Sequence, residues 1–313
     1  MSVDDHGRTP TLVAVVGATA TGKSALALDL AERLGGEIVG ADASQLYRGM
    51  DIGTAKVPVD ERRGLPHHQI DVLDIDEDAS VAAYQRHCRE DVGGIVARGR
   101  RPILVGGSGL YVRAAVDHLE IPPTDPAVRA RLEAEAAELG TPTMLARLRE
   151  VDPVAASRLE PNNTRRIVRA LEVVELTGRP FSATMPRREY LRPTLTLGLA
   201  LDRAVLDERI ARRTAGMWAD GLLDEVAALV GRGLSGTRTA SRAVGYREAL
   251  AELAGRMTRS EAIEATTTAT RRLVRRQESW FRSDPRILWL DAAAPDLLDR
   301  ALRAVAEHIA DPV

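Results

Sequence analysis

Leu12-Val-Ala-Val-Val-Gly-Ala-Thr-Ala-Thr-Gly-Lys-Ser24 joins a short apolar run to a glycine-framed loop. The run has no polar alternation and stops at glycine, which predicts a strand buried on both faces of a parallel sheet. Beyond Gly22, the leucines Leu26, Leu30 and Leu34 recur at helical spacing, and Gly35-Gly36 ends the helix. Gly17 to Ser24 therefore matches G-x-x-x-x-G-K-[ST] in the strand–turn–helix setting that the motif requires. In such a loop the backbone at Gly17, Ala18, Thr19, Ala20, Thr21 and Gly22 forms an anion cradle, aided by the helix dipole. Lys23 is placed to neutralise terminal phosphate charge, and Ser24 to reach a magnesium ion, Mg2+. The motif does not say whose phosphates are held. A nucleoside triphosphatase or a small-molecule kinase would carry the same loop.

Working outward, Glu37-Ile-Val-Gly40 and Pro102-Ile-Leu-Val105 read as further buried strands. Strands alternating with helices at this spacing predict an α/β fold: a P-loop NTPase-like parallel sheet flanked by helices. Residues 119–194 break the pattern, with helical stretches at 126–139, 143–151 and 164–177 and no strand. A structureless connection of that length is unusual inside a compact domain, so the segment is expected to be an all-helical insertion. The catalytic core would then comprise 1–118 and 195–313. Leu195-Thr-Leu-Gly-Leu-Ala-Leu201 returns to strand character, followed by helices from about Ala204. Thr258-Arg-Ser-Glu261 forms a capping box for a long helix. A last strand is expected at 286–290, then a closing helix.

The chain has 313 residues and a formal net charge of −2, so it is no general polyanion binder and any basic patch must be local. The single cysteine, Cys88, excludes an internal disulfide and a cysteine-based zinc cluster. The first ten residues are polar and do not resemble a signal peptide, and no apolar run has membrane-spanning length. A cytoplasmic protein without membrane association is expected. Among its many arginines only two lysines occur, Lys23 and Lys56, which suggests that the compact ammonium is needed where lysine remains.

Asp42 follows the second strand. The carboxyl ends of strands in an open parallel sheet line the ligand crevice, so this carboxylate should lie near the phosphate loop and could accept a proton. A helix N-cap or turn aspartate is the competing reading.

The stretch Tyr47-Arg-Gly-Met-Asp-Ile-Gly-Thr-Ala-Lys56, directly after Asp42, resembles the signature of the tRNA dimethylallyltransferases, or isopentenyl-tRNA transferases. The resemblance extends over most of the chain. It takes in Leu65-Pro-His-His-Gln-Ile-Asp71, Gly106-Gly-Ser-Gly-Leu-Tyr111 and Pro161 through Thr164-Arg-Arg-Ile-Val-Arg-Ala-Leu-Glu-Val173. Val244-Gly-Tyr-Arg247 and Arg275-Arg-Gln-Glu-Ser-Trp-Phe281 complete it. Two positions depart from the family pattern: Ala43 replaces a serine, and Ser108 replaces a threonine while keeping its hydroxyl.

The resemblance implies transfer of a dimethylallyl group from dimethylallyl diphosphate to N6 of the adenosine beside the anticodon of tRNA. Asp42 would accept the amine proton. The loop amides, Lys23 and magnesium would stabilise the departing diphosphate, with Thr19 and Ser108 as hydroxyl donors and Arg213 as a second clamp. A stacked adenine cannot reach such a pocket, so the base should flip out of the anticodon stem-loop. Contacts to tRNA are expected from Asp42, Ala43, Ser44, Gln45 and Ser108 at the site. Arg129, Arg131, Arg165, Arg166, Ile167, Val168 and Arg169 would supply them from the insertion, and Arg242, Gly245, Tyr246 and Arg247 from the core. Each arginine taken alone reads equally well as a solvated helix face. On the long helix, Arg271/Arg275 and Arg272/Arg276 repeat at i, i+4 and could form a phosphate track. His67-His68 reads as structural or as part of a substrate channel rather than metal-binding, because adjacent side chains point apart and no paired ligand set lies nearby. Lys56 has no assigned role. A monomer is expected. The competing functions are a P-loop kinase of a small metabolite, with Asp42 activating a hydroxyl, and a nucleotide-dependent switch.

Overall fold

A computed structural model describes residues 11–184 and 187–310; the polar amino-terminal ten residues lie outside it. Six strands form one sheet: β1 (Leu12–Gly17), β2 (Gly36–Gly40), β3 (His67–His68), β4 (Arg101–Gly106), β5 (Thr194–Ala200) and β6 (Ile287–Asp291). Their order is β3-β2-β4-β1-β5-β6, and every pairing is parallel. The apolar run that opens the chain is the reason β1 sits centrally. All six of its residues are buried, as both faces of an inner parallel strand must be.

Helices α1 (Lys23–Leu34), α2 (Val81–Ala97) and α3 (Gly109–Val116) follow β1, β3 and β4. Leu26, Leu30 and Ala31 of α1 pack with Val13, Val15 and Ile103 in one core cluster. Helices α4 (Pro126–Leu139), α5 (Thr141–Val151), α6 (Pro153–Arg158) and α7 (Thr164–Thr177) come before β5. After it stand α8 (Arg203–Ala219), α9 (Leu222–Val230), α10 (Tyr246–Leu253), α11 (Arg259–Arg282) and, past β6, α12 (Leu297–Ala310). The capping box at Thr258 opens α11, with Thr258 Oγ1 accepting from Glu261 N–H and Glu261 accepting from Thr258 N–H. α6, which opens on Pro153, has only six residues, too few for a periodicity to register in sequence.

By packing, the chain divides into two compact units, with Asp117–Glu189 forming the second. The sequence reading extended the insertion to 194. Tyr190 to Pro193 belong with the core because Leu191 N–H bonds Val116 O, Tyr190 bonds Thr196, and Pro193 O accepts from Leu12 N–H.

The helical unit has its own core of Leu132, Met144, Leu148, Ile167, Val168 and Leu171. Ile167 and Val168, expected at a tRNA surface, face this core instead, because α7 is amphipathic and these positions fall on its apolar side. Arg129 and Arg169 converge on the buried Glu172, which also accepts from Asp125 N–H. Arg169 further caps Pro122 O and Pro123 O at 2.8 and 2.9 Å. Burial alone would raise the Glu172 carboxyl pKa. The hydrogen bonds from Arg129, Arg169 and Asp125 outweigh it, and the net shift is downward. These two arginines therefore hold the unit together rather than projecting to a partner, and Arg131 is likewise paired, with Glu135 and Glu175. Arg165 and Arg166 are exposed and meet no carboxylate among the described residues.

Candidate active site

β2, β4 and β1 are neighbours in the sheet, so the loops leaving their carboxyl ends converge. The phosphate loop follows β1, Asp42 follows β2 and Ser108 follows β4. Close backbone approach makes this possible. A Cβ on Gly17 would lie 2.8 Å from Leu199 O, and one on Gly106 would lie 2.1 Å from Ala41 O. The second contact brings the turn bearing Asp42 directly against the end of β4.

The phosphate loop is braced from inside and outside. Thr21 Oγ1 donates to Ala18 O at 2.9 Å, and the Lys23 ammonium folds back onto the same carbonyl. Gln277 on α11 accepts from Thr19 N–H at 2.9 Å and donates to Gly107 O at 3.0 Å. One buried carboxamide thus joins the loops after β1 and β4. Arg213 on α8 donates to Thr19 Oγ1 at 3.1 Å.

The charges are coupled. Burial, then the Arg213 charge, lowers the Lys23 ammonium to about 8, with Asp42 opposing. Burial also pulls the Arg213 guanidinium below its usual range, again against Asp42. Two desolvated cations beside one carboxylate leave a net positive recess, suited to an anion.

Asp42 Oδ1 accepts from Ser44 N–H at 3.0 Å, and Ser108 Oγ accepts from Ala43 N–H at 3.4 Å. Ala43, lacking a hydroxyl, therefore contributes through its backbone. Gln45 donates to Thr54 O at 3.1 Å.

A cavity of about 380 Å³ is lined by Thr19, Lys23, Ser24, Asp42, Gln45 and Arg213, among others. It adjoins a smaller one of about 100 Å³, where Ile210, Met217, Val244 and Leu273 stand among Ser44, Thr214, Thr266 and Thr270. Asp42, Thr19, Arg213 and Gln277 border both. A cationic recess for phosphate thus shares Asp42 with a neighbouring pocket of mixed polar and apolar lining.

The loop from Asp42 to Lys56 is held by residues that sequence reasoning left without a role. Lys56, almost wholly buried, donates to Tyr47 O, to Asp51 at 2.8 Å and to Asp71 at 2.5 Å. Glu225 accepts from the N–H groups of Asp51, Ile52 and Gly53 at 3.0, 2.7 and 3.3 Å. Tyr246 donates to Glu225 and is fully buried, so it braces this loop and offers tRNA no surface. Gly245, also expected at tRNA, is buried at the start of α10, where its N–H meets Glu248. Arg242 is exposed, and Arg247 is exposed while bonding Glu248. Of these braces Lys56 carried a signal in the sequence as one of two lysines, Tyr246 was singled out for another role, and Glu225 carried none.

His68 pairs with Glu37 at 2.7 Å and His67 with Leu65 O at 2.8 Å, which makes both structural. Among the described residues no cluster of three or more His, Cys, Asp or Glu could cage a metal. A magnesium ion would therefore take its ligands mainly from substrate phosphate and water, and the exposed Ser24 at the cavity wall fits as a protein ligand. Arg271 lies against Asp207 at 3.7 Å, which removes it from the expected phosphate track. Arg272, Arg275 and Arg276 remain exposed and unpaired among the described residues.

This geometry agrees with comparisons to known proteins. The family model described as IPP transferase matches residues 45–284. A tRNA dimethylallyltransferase of Salinispora arenicola is 59% identical over 295 residues, covering 94% of this chain and 86% of the relative. The full-length tRNA isopentenylpyrophosphate transferase of Bacillus halodurans superposes with a TM-score of 0.69 at 38% identity, covering 96% of this chain and 98% of that one. A eukaryotic dimethylallyltransferase acting on tRNA gives a TM-score of 0.80 at 26% identity, covering 96% and 79%. The chain belongs to the IPP transferase family.

Proposed function

We propose that this protein transfers a dimethylallyl group from dimethylallyl diphosphate to N6 of the adenosine 3′-adjacent to the anticodon in tRNA, with release of diphosphate. The observation that carries the reading is the position of Asp42, on the border between the cationic recess and the pocket that holds Ile210, Met217, Val244 and Leu273. A prenyl diphosphate has an anionic half suited to the recess and a short apolar half suited to those four side chains, and its reactive carbon joins the two.

An exocyclic adenine amine is a weak nucleophile because its lone pair is delocalised into the ring. Asp42 accepts its proton as the N6–carbon bond forms, while the carbon–oxygen bond to diphosphate breaks and the electron pair leaves on oxygen. Lys23, Arg213 and the loop amides stabilise the charge that develops there. Thr19, held by Gln277 and Arg213, keeps the loop in register for this task. Magnesium, when bound, supplies further neutralisation of the diphosphate. The phosphate loop thus serves a leaving group, and the donor itself drives the reaction.

In this reading the helical unit contacts tRNA phosphates through the exposed Arg165 and Arg166, and the protein works as a cytoplasmic monomer. Among the described residues no helix is long and apolar enough to cross a membrane.

The test is incubation with unmodified tRNA and radiolabelled dimethylallyl diphosphate in the absence of nucleoside triphosphate. Label should move to the adenosine beside the anticodon. No label transfer, combined with ATP-dependent phosphorylation of a small metabolite, would sink the proposal.

A further inference from the structure

The aromatic residues are few, with three Trp, five Tyr and two Phe in the whole chain. Trp280 is the one aromatic among the large apolar side chains exposed in the described residues, at 39%. Its position is specific. On α11, Leu273, Gln277 and Trp280 follow at i, i+4 and i+7, so they share a face. Leu273 and Gln277 line the cavities, and Gln277 bonds Gly107 O. One turn further on, the indole lies directly over Gly109, where an added Cβ would come within 2.2 Å of its Cδ1 and Nε1. Gly109 follows Ser108 and precedes Leu110, itself 43% exposed. The helix that closes the site therefore continues outward into an apolar ledge. Arg276 and Arg272, exposed and unpaired among the described residues, lie one and two turns back along α11.

From this we infer that Trp280 is the stacking platform for a nucleotide next to the adenosine that enters the site; the inference rests on the proposed tRNA reaction. A flipped base leaves its neighbours without a stacking partner. An indole one turn beyond the cavity-lining Gln277 supplies that partner, and cations at one-turn intervals suit the phosphates of the same strand. Gly109 is required because any side chain there would push the ring away. The platform accepts any base by its π-face, so it adds affinity and orientation while hydrogen bonds elsewhere choose the sequence.

The experiment measures kcat and KM on an anticodon stem-loop RNA, with the normal nucleotide or an abasic one on the 5′ or 3′ side of the target adenosine. Trp280→Ala should raise the RNA KM roughly 5- to 100-fold while leaving the donor KM unchanged. Trp280→Phe should restore most of it, and Trp280→Leu, which fills space without a π-face, should not. With one of the abasic RNAs the Trp280→Ala penalty should vanish. An equal penalty on both abasic RNAs, or full rescue by leucine, overturns the platform and leaves Trp280 a packing residue. Absence of transfer by the unaltered protein is a separate result, which overturns the proposed reaction itself.

Discussion

The side chain of Gln277 accepts a hydrogen bond from the backbone N–H of Thr19 at 2.9 Å, across 258 positions of sequence. One amide of the phosphate loop is therefore held by the protein, and the same carboxamide reaches Gly107 O on the neighbouring strand's loop. Gln277→Leu leaves a buried N–H and a carbonyl without partners, at a cost of about 1–3 kcal/mol in stability. The donor KM should rise as well, because the loop loses its anchor. Chemical denaturation and steady-state kinetics on the variant check both parts; unchanged donor KM would separate Gln277 from phosphate binding.

Asp42→Asn keeps the size and the Ser44 contact but removes the proton acceptor. Single-turnover rates should fall by roughly 10²–10⁴-fold, with donor affinity little changed. A rate within a few-fold of the unaltered protein would end the general-base role.

Lys23 should give the donor KM a pH break. Its ammonium, lowered by burial and Arg213 to about 8, is the form that binds diphosphate. Above that pH the free enzyme loses the proton, and donor KM should climb about tenfold per unit. Lys23→Arg should move the break out of reach, since guanidinium stays charged. Stability carries the opposite sign. Between about 8 and the ordinary lysine value of 10.5, the unfolded chain holds the proton that the folded one has released, so folding stability rises with pH. Denaturation midpoints across that window, compared with Lys23→Met, measure this rise.

Lys56→Met should loosen the Asp42 to Lys56 loop. Asp51 and Asp71 are 58% and 36% exposed, so water can take over their solvation, while Tyr47 O keeps only the Met50 N–H, at 3.4 Å. A loss of about 1–3 kcal/mol is expected, read by thermal unfolding.

The arginines of the helical unit should divide into two groups. Arg165→Glu with Arg166→Glu should weaken tRNA binding and flatten its salt dependence by about 1.4 in log–log slope, from two phosphate contacts at ~0.7 each. Arg169→Ala should chiefly destabilise the helical unit, because it takes one of two cations from the buried Glu172 and the donors from Pro122 O and Pro123 O. Salt titrations of binding and unfolding curves distinguish the groups.

The strands around the phosphate loop, and helices α4 and α7 to their end residues, were legible because each rests on a run or period within one segment. The Asp42 position was legible for a related reason, since any strand end in a parallel sheet faces the crevice. The bracing groups were not. Glu225 reads as an ordinary helix carboxylate, Tyr246 as a possible contact and Arg169 as a free charge. Glu225 and Tyr246 find partners on other elements, and Arg169 reaches Pro122 O and Pro123 O ahead of α4 as well as Glu172 on its own helix.

By itself, then, the sequence determined the parallel α/β core, the phosphate loop, the carboxylate at the strand end and the family. All of these follow from local periodicity and from short ordered motifs. Only the tertiary structure decided which cations face the site and which are bound to Glu172. It also set the cationic recess beside the pocket of Ile210, Met217, Val244 and Leu273 at Asp42 and brought α11 to lock the loop with Gln277. The reason is physical: desolvation and hydrogen-bond satisfaction depend on what lies across from a side chain, and that neighbour is set by the packing of segments far apart in the chain.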